Sequence, residues 1–558
     1  MHSDLTRRGL LRLIGLGSAA LALSACQAAA PSAGPGATPA SAGAGAGQKP
    51  EALSLPIVSQ PLTLSYWAPM SSNVAASMKS FGEMACYVEL EKRTGIHLDF
   101  QHPPLQQDQD QFNLLVASGK YPDIVEFDWL HSYAGGPSKA IKDNVIIRLN
   151  DLIDKYAPNF SKVLADNPAW RKQVVTDEGD IYAFPFLRGD PVLLTFMGPV
   201  IRRDWLDKTG QSVPRTLDDW HTMLGAFKSQ NVGAGSTLPF SPWAGSIPGG
   251  WNAWYAAGAF LRHAFVGAWG IAMGFYQVNS TVMFGGMQPE FQDFSKLMRS
   301  WFSEGLIDPD FPSTDQASFD AKVTSGKLGS MVTLDGNGIG KYAGLVKDPT
   351  FKLLGAPYPI AKAGDKPLLG QRDDIFPGLS AAITTANRHV PESIKELDYG
   401  YGDEGHMLFN FGVDGVSYTM VNGYPTYTDE LMHNSSLPPA QAMSRYIRGN
   451  FNGPFVQDKR YIEQYYQLQE QKDALQTWLE PTDDRQMPPV TPTQDESRRF
   501  ASVMNDVNSR FQELFTRIVS GEEPLDSLAG LPAQLKTIGI DDAIKIQQAA
   551  LDRYNKRG

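Results

Sequence analysis

Cysteine is nearly missing from this sequence: Cys26 and Cys86 are the two in 558 residues. They fall in segments of very different character, so no internal disulfide is expected and the body must be held by its cores alone. Cys86 sits in the apolar-patterned run FGEMACYVELEKR and reads as a small buried residue. Excess positive charge is missing too. Against 49 Lys and Arg stand 60 Asp and Glu, a formal net charge of -11, which disfavours nucleic acid and other polyanions as partners. After Cys26 no run is long and apolar enough to span a membrane. Signatures of catalysis are likewise lacking: there is no GxSxG, no HExxH, no P-loop and no clustered His/Cys metal set. No segment repeats at a fixed period, which excludes a solenoid.

The N-terminus is informative. Arg7, Arg8 and Arg12 precede an uncharged stretch from Leu13 to Ala25, roughly half of what a bilayer-spanning helix needs. Residues 1–25 therefore read as a processed export signal. Thr6-Arg7-Arg8-Gly9-Leu10-Leu11 resembles a twin-arginine signal, although an arginine pair also serves general secretion and leaves the route open. Leu23-Ser24-Ala25-Cys26 resembles a bacterial lipobox, in which Cys26 is lipidated and becomes the first residue of the mature chain. Residues 28–47 consist of Ala, Pro, Ser, Gly and Thr alone. Such a stretch buries nothing and reads, within residues 26–50, as a disordered tether. Removing residues 1–25 takes away three arginines and one aspartate and leaves a net charge of -13.

About 500 residues remain, suited to two or three domains. Leu62–Trp67 alternates as a first strand, a helix runs through Met84–Arg93 to Gly95, and Ile96–Phe100 is a second strand. A short helix over Asp110–Ser118 and a third strand over Tyr121–Phe127 follow. Strand and helix in alternation predict a parallel sheet covered on both faces. Ligands of such sheets bind beyond the carboxyl ends of the strands, which selects the loops after Trp67 and after Phe127, with Asp128 and Trp129. Asp177-Glu178-Gly179-Asp180 reads as a β-turn, because the other ligand positions of a calcium loop are absent. Ile181–Phe186 and Val192–Met197 read as strands.

A second α/β region begins near Ile201. Thr216 and Asp219 are spaced as a helix capping box, with Asp in place of the usual Glu or Gln. Residues 239–276 concentrate Trp243, Trp251, Trp254, Tyr255, Trp269 and Tyr276 beside glycines, a composition that leaves indole faces open. Glu290–Gly305 is the most strongly periodic helix. Gln316–Ser325 is a helix, Lys327–Val332 a strand, and Asp335-Gly336-Asn337-Gly338 a loop leaving it. Residues 346–380 read as irregular and 400–455 as loop-rich. Helices over Asp458–Leu479, Glu496–Ser520 and Asp541–Asn555 complete the chain.

Several segments carry a recognisable pattern: YPDIV at 121–125, IRRDWLDKTGQSVPRTLDDWHTMLGAFK at 201–228, GLIDPDF at 305–311 and SGKLGSM at 325–331. To these are added DYGYGDEGHMLFNFGVDGVSY at 398–418, SGEEPLD at 520–526 and LKTIGIDDAIKIQQAALDRYNKR at 535–557. Spread over almost the whole mature chain, they resemble the family 1 extracellular solute-binding proteins of ABC sugar importers, in the long LipO/LplA-like subgroup related to the alginate-binding proteins. The resemblance implies a two-lobed periplasmic-binding-protein-like α/β fold (type II) with extra C-terminal helices. It places one lobe at residues 55–190 with a return near 375–430, and the other at 191–370 with 431–558. It implies no catalysis and no cofactor; the alginate binders carry a calcium loop that this sequence does not reproduce, so a structural calcium ion stays open without a recognisable loop to hold it.

On that resemblance the ligand is an oligosaccharide or other small polyol, and the partners are permease subunits of an ABC importer. The protein is expected as a monomer at the extracellular face of the cell membrane, anchored by lipid at Cys26. Sugars are held by aromatic stacking and by polar groups matched to hydroxyls. The candidate stackers are Trp67, Trp129, Trp243, Trp254, Trp269 and Tyr427; the candidate hydroxyl partners are Asp128, Asp190, Asp335, Asn337, Arg372 and Asp373. Two other readings are open, an exported glycoside-acting enzyme with paired carboxylates and a binder of a non-sugar solute such as a peptide.

Overall fold

β1 (Leu62–Trp67) and β2 (Ile96–Gln101) run parallel in register, from Leu62 opposite Ile96 to Trp67 opposite Gln101. β3 (Ile124–Asp128) lies parallel on the other side of β1. These belong to a computed structural model that describes residues 52–242, 264–449 and 452–557. The crossover helices are α1 (Ala85–Thr94) and α2 (Asp108–Ser118). Gly95 ends α1 at φ 80°, where its N–H reaches the Glu91 carbonyl, a left-handed position that glycine adopts without steric cost. Cys86 is buried on α1, and burial pushes its thiol up to about 12, so it is an inert core residue.

The expected strand over Ile181–Phe186 reduces to β4 (Phe184–Pro185), followed by β5 (Leu187–Arg188). The strand expected over Val192–Met197 is instead a 3-10 turn at Pro191–Leu193, capped by Asp190, whose Oδ1 accepts from the Val192 N–H at 3.0 Å. The second sheet then opens with β6 (Met197–Arg202), α3 (Arg203–Thr209), α4 (Leu217–Ser229) and β7 (Leu238–Ser241). The capping box at the start of α4 forms as its spacing predicts. Asp219 N–H donates to Thr216 Oγ1 and Thr216 N–H donates to Asp219 Oδ2, at 3.1 and 2.8 Å.

A hairpin of β8 (Phe275–Val278) and β9 (Thr281–Phe284) leads to α5 (Pro289–Ser303), which buries Phe291, Phe294, Met298 and Trp301. Then follow α6 (Gln316–Thr324), β10 (Leu328–Leu334), β11 (Leu353–Gly355) and β12 (Leu379–Ile383). β11 lies within the stretch expected to be irregular, and β12 begins at its end. The strand orders are β2-β1-β3-β12-β4 and β11-β6-β10-β7. In the first sheet β12 runs antiparallel to both neighbours. The stretch expected to be loop-rich holds α7 (Asp403–Phe411) and the hairpin β13 (Tyr418–Val421) with β14 (Tyr424–Tyr427). They share a small core of Phe411, Tyr418, Tyr427, Leu431, Met443, Ile447 and Tyr461.

β15 (Val456–Gln457) pairs parallel with β5. The single helix expected over Asp458–Leu479 is two, α8 (Lys459–Tyr465) and α9 (Gln469–Trp478). The chain closes with α10 (Gln494–Ser520) and α11 (Ile540–Lys556). Each sheet has its own core. One gathers Leu64, Ile124, Phe160 and Phe184 with Ile383 and Leu397; the other gathers Val200, Trp220, Phe240 and Met331 with Trp478, Phe511 and Ile540. The result is a two-lobed α/β fold with C-terminal helices packed on the second core. Among the described residues no helix is long and apolar enough to cross a membrane.

One charge lies deep in the first lobe. Arg448 is fully buried; its Nη2 reaches Glu126 Oε1 at 2.5 Å, its Nη1 donates to Tyr87 Oη at 2.6 Å, and its Nε donates to the Asn452 carbonyl at 2.7 Å. Tyr66 Oη donates to the other Glu126 oxygen at 2.8 Å, and the guanidinium lies 4.3 Å from the centre of the Phe81 ring. Arg448→Met would leave Glu126 charged and buried without its cation. The expected loss is about 3–5 kcal/mol, read as a fall in the urea midpoint at unchanged slope. A variant within 1 kcal/mol of the parent would show that the pair is dispensable.

Candidate functional site

Strand direction brings the candidate residues to one edge of each sheet. In the first, Trp67 and Asp128 close the parallel strands β1 and β3. The antiparallel β12 enters with Leu379 opposite Asp128, so residues 374–378 arrive at the same edge. In the second, β7 and β10 are parallel and end at Ser241 and Leu334, while the antiparallel β6 begins there, with Met197 opposite Leu334.

Between these edges the chain crosses three times, near residues 188–196, 371–378 and 457–468, and the crossings bond to one another. Phe186 N–H and Arg188 N–H donate to the carbonyls of Leu379 and Ile375, each at 2.9 Å, and Leu187 N–H donates to the Phe455 carbonyl at 3.1 Å. Further along, Asp373 N–H donates to the Leu194 carbonyl at 2.8 Å, and Phe196 N–H donates to Gln371 Oε1 at 2.8 Å.

Charges reinforce the crossings. Arg188 Nη2 pairs with Asp373 Oδ2 at 3.0 Å while its Nη1 donates to the Leu193 carbonyl at 2.8 Å. Asp190 pairs with Lys459 at 3.3 Å. Arg372 pairs with Asp483, and its carbonyl accepts from Gln486 Nε2 at 2.9 Å. Of the expected hydroxyl partners, Asp190, Arg372 and Asp373 are thus half-buried members of the inter-lobe network.

Asp335 is the outlier. It opens a single wide helical turn, Asp335–Gly340, where a loop was expected. Its N–H donates to the Phe196 carbonyl at 2.8 Å, yet neither carboxyl oxygen has a hydrogen-bond partner among the described residues and the side chain is fully buried. Burial raises this acid to about 8 against the lowering effect of the nearby Gln471 amide, so at neutral pH it is largely protonated. Asn337 beside it is exposed. Tyr465 and Tyr466 stand against this turn, a β-carbon on Gly336 lying about 3.5 Å from both rings.

The aromatic expectations divide. Trp67 packs on Phe112 and Phe127 with ring centres 6.1 and 5.6 Å away. Trp129 is fully buried between Phe112 and Tyr133, its indole N–H donating to the Val125 carbonyl at 3.1 Å. Tyr427 belongs to the small third core, its hydroxyl donating to the Asn410 carbonyl at 2.7 Å. The stacking role expected of these three is corrected to core packing, because a covered ring offers no face to a sugar. Trp269 is half-buried against Phe294 and keeps part of its ring open. Trp243, Trp254 and Cys26 lie outside the described residues.

Asp128 is half-buried at the end of β3 and bonds His131 Nδ1 at 2.8 Å. The imidazole is exposed, and the Asp128 carboxylate beside it raises its pKa. Gly378, at φ 106°, lies where a β-carbon would come 2.5 Å from Asp128 Oδ1; only glycine fits.

Sequence reasoning missed Arg188, Gln371, Lys459 and Tyr465. The triple tyrosine of YIEQYYQ at 461–467 was visible, but nothing in the pattern says which face of a helix meets a distant turn. Chemically, the edge offers donors and acceptors on both lobes. Among the described residues no group of three or more His, Cys, Asp and Glu is placed to hold a metal. The turn at residues 176–180 is an ordinary one, Gly179 N–H to the Thr176 carbonyl at 3.0 Å, and its Asp177 pairs with Arg553 and Arg557.

Known proteins of similar sequence carry related functions in their names. The fructooligosaccharide ABC transporter substrate-binding protein FusA of Streptococcus pneumoniae is 27% identical over 363 residues, 62% of this chain and 63% of the relative, so the match spans just under two thirds of that protein. The lipoprotein LipO of Bacillus subtilis is 26% identical over 384 residues, 67% of this chain and 71% of its own. Among solved structures, the alginate-binding protein AlgQ2 without calcium superposes with a TM-score of 0.67 at 23% identity, covering 89% of this chain and 99% of AlgQ2. At that identity the likeness speaks for the fold. No family model matches the chain. The relatives bear out the resemblance to ABC sugar-binding proteins read from the sequence segments.

The buried acid has a measurable consequence. A carboxyl raised to about 8 in the folded chain holds a proton that the unfolded chain releases above about pH 4. Its contribution to stability is full below that pH and is lost as pH rises through 8. Asp335→Asn removes this dependence. The stability of the parent minus that of the variant should fall by up to about 1.4 kcal/mol per pH unit between pH 5 and 8, measured by urea denaturation. A difference flat with pH would mean that Asp335 is not held neutral.

Proposed function

We propose that this chain is the substrate-binding component of an ABC importer, capturing an oligosaccharide or related carbohydrate between its two lobes and delivering it to membrane permease subunits without chemical change. The observation that carries the reading is the pair of lobes joined by mutually bonded crossings, with partly open polar and aromatic side chains at facing strand ends. Such a design opens and closes around a ligand and gives the permease two states to distinguish. The names of the relatives support the same reading. In this proposal the lobes divide near residue 190 and again near residue 375. Asp128, Asp190, Trp269, Asn337, Arg372 and Asp373 supply contacts on the described side, and Trp243 and Trp254 supply stacking rings. Cys26 carries a lipid that holds a monomeric protein at the outer face of the membrane, with residues 27–50 as its leash.

Calorimetric titration with a panel of neutral and acidic oligosaccharides should give saturable, one-to-one binding to at least one member, with the glycan recovered intact. Product formed at catalytic ratios, or binding confined to peptides, would overturn the assignment. Cys26→Ser should move the protein from the membrane fraction to the soluble fraction of the expressing bacterium; a variant that stays membrane-bound removes the anchor from the proposal.

A further inference from the structure

Besides the three crossings, the lobes meet at a fourth place, where no backbone passes between them. α11 begins in the second core, with Ile540 and Ala543. Its far end lies against the turn that follows Val174 and Val175 of the first core. There Asp177 Oδ2 accepts from Arg553 Nε at 2.7 Å, and Oδ1 accepts from Arg557 Nε at 2.8 Å. Arg557 Nη1 also donates to the Lys172 carbonyl at 3.3 Å, and Lys172 Nζ donates to the Asn555 carbonyl at 3.0 Å. On its own side Arg553 holds Glu496 of α10, Nη2 to Oε2 at 2.9 Å. Two carboxylates and two guanidiniums thus alternate in the order Glu496, Arg553, Asp177, Arg557, and their charges cancel.

This junction is built differently from a core. The bonds that cross it are polar, and beside it lies a cavity of about 250 Å³ whose wall is shared by Gly136 and Asp177 of the first lobe with Thr491 and Arg557. Asp177 keeps 18% and Arg553 27% of its side chain exposed, so water and salt reach the network, whereas Arg557 is 2% exposed. Packed apolar side chains cannot part without exposing hydrophobic surface. Ion pairs open to water exchange their protein partners for hydration at little net cost. The network therefore releases and re-forms while both cores stay intact. If the lobes part, Arg553 keeps Glu496, and Asp177 and Arg557 are the groups left to water. The junction also flanks a crossing: Phe376 N–H donates to Gln173 Oε1 at 3.0 Å, and Gln173 shares the helix Pro168–Val174 with Lys172. A change of angle at residues 371–378 is thus transmitted to Asp177.

We propose that these four residues form an electrostatic clasp that holds the lobes in the arrangement of this structure and sets its balance against other arrangements. The clasp acts at a distance from the ligand edge and makes the shape of the protein sensitive to ionic strength. It rests on the reading of the chain as a binder whose two lobes move, and adds to that reading what restrains the motion.

Single-molecule energy transfer reads the arrangement without any ligand, between dyes placed at Leu114→Cys on the first lobe and Leu345→Cys on the second, both exposed leucines. The carrier is the full chain with Cys26→Ser; Cys86 is buried and takes no dye. Raising NaCl from about 0.05 to about 0.5 M shortens the screening length and should lower the ratio of the main state to all others about threefold or more. Arg553→Gln with Arg557→Gln should show the lowered ratio already at low salt and respond little to more. If that variant loses its thermal transition, Asp177→Asn, which keeps the size of the side chain, should give the same fall. Arg499→Gln, which breaks a pair between α10 and α11 with Asp542 but touches nothing on the first lobe, should leave the ratio unchanged. A parent indifferent to salt, clasp variants with the parent's distribution, or an equal fall in Arg499→Gln would overturn the proposal. Absence of oligosaccharide binding with the salt-dependent shift intact would instead count against the importer reading and leave the clasp standing.

Discussion

The structure depends on the bonding of the three crossings to one another. Each lobe is a closed unit with its own sheet and core, and the chain must pass between them without leaving backbone groups unpaired. The residues around 188–196 do this by giving up sheet geometry. Asp190 caps a tight turn, the Leu194 carbonyl serves Asp373, and Phe196 takes the amide oxygen of Gln371. These bonds connect crossing to crossing rather than crossing to core, so small changes of backbone angle can move one lobe against the other while both cores stay packed. The Arg188–Asp373 pair sits where that motion would concentrate.

Stability has to come from elsewhere, because no internal disulfide is available. Distant segments are fixed by buried or half-buried charges instead. Arg448 brings the chain after the third core onto Glu126 of β3, and Arg553 and Arg557 tie the end of α11 to Asp177 on the first lobe. Long helices do the remainder. α10 buries Val507, Phe511, Leu514 and Ile518 along one stripe, against which α5 lays Phe291 and Phe294. Buried ion pairs are weak evidence of net stabilisation, but they penalise every arrangement in which the partners fail to meet.

What was legible in the sequence follows from which forces are local. The alternation of Leu62–Trp67, the glycine after α1, the capping box at Thr216 and the apolar stripe of α5 are set within a few residues, and all formed at or near their expected places. Val192–Met197 looked like a strand because its residues are apolar, yet its bonds go to a segment some 180 residues away, which no local pattern records. The same holds for Trp129 and Tyr427. A tryptophan after a strand and a tyrosine in a hairpin have the composition of a sugar site, but neighbours brought in by the fold cover both rings. Asp335 was singled out as a polar residue beyond a strand end, whereas the isolation of its carboxyl depends on tertiary packing.

Uncompensated polar groups are not by themselves a mark of function. Glu396, on the helix Val390–Tyr399, is buried in the first lobe with neither carboxyl oxygen bonded among the described residues, and burial raises it to about 8. It is a neutral acid packed in a core. Other buried carboxylates are paired: Asp308 accepts from Lys322 and Ser241, and Asp204 takes two bonds of 2.7 Å from Arg202, whose Nη1 has no partner among the described residues. The contrast with Asp335 is one of place. Asp335 lies at the edge where the lobes approach, its N–H bonded to the Phe196 carbonyl. An unmet polar atom facing only packed side chains is a cost of folding, and at Asp335 that cost is lessened by holding the acid in its neutral form.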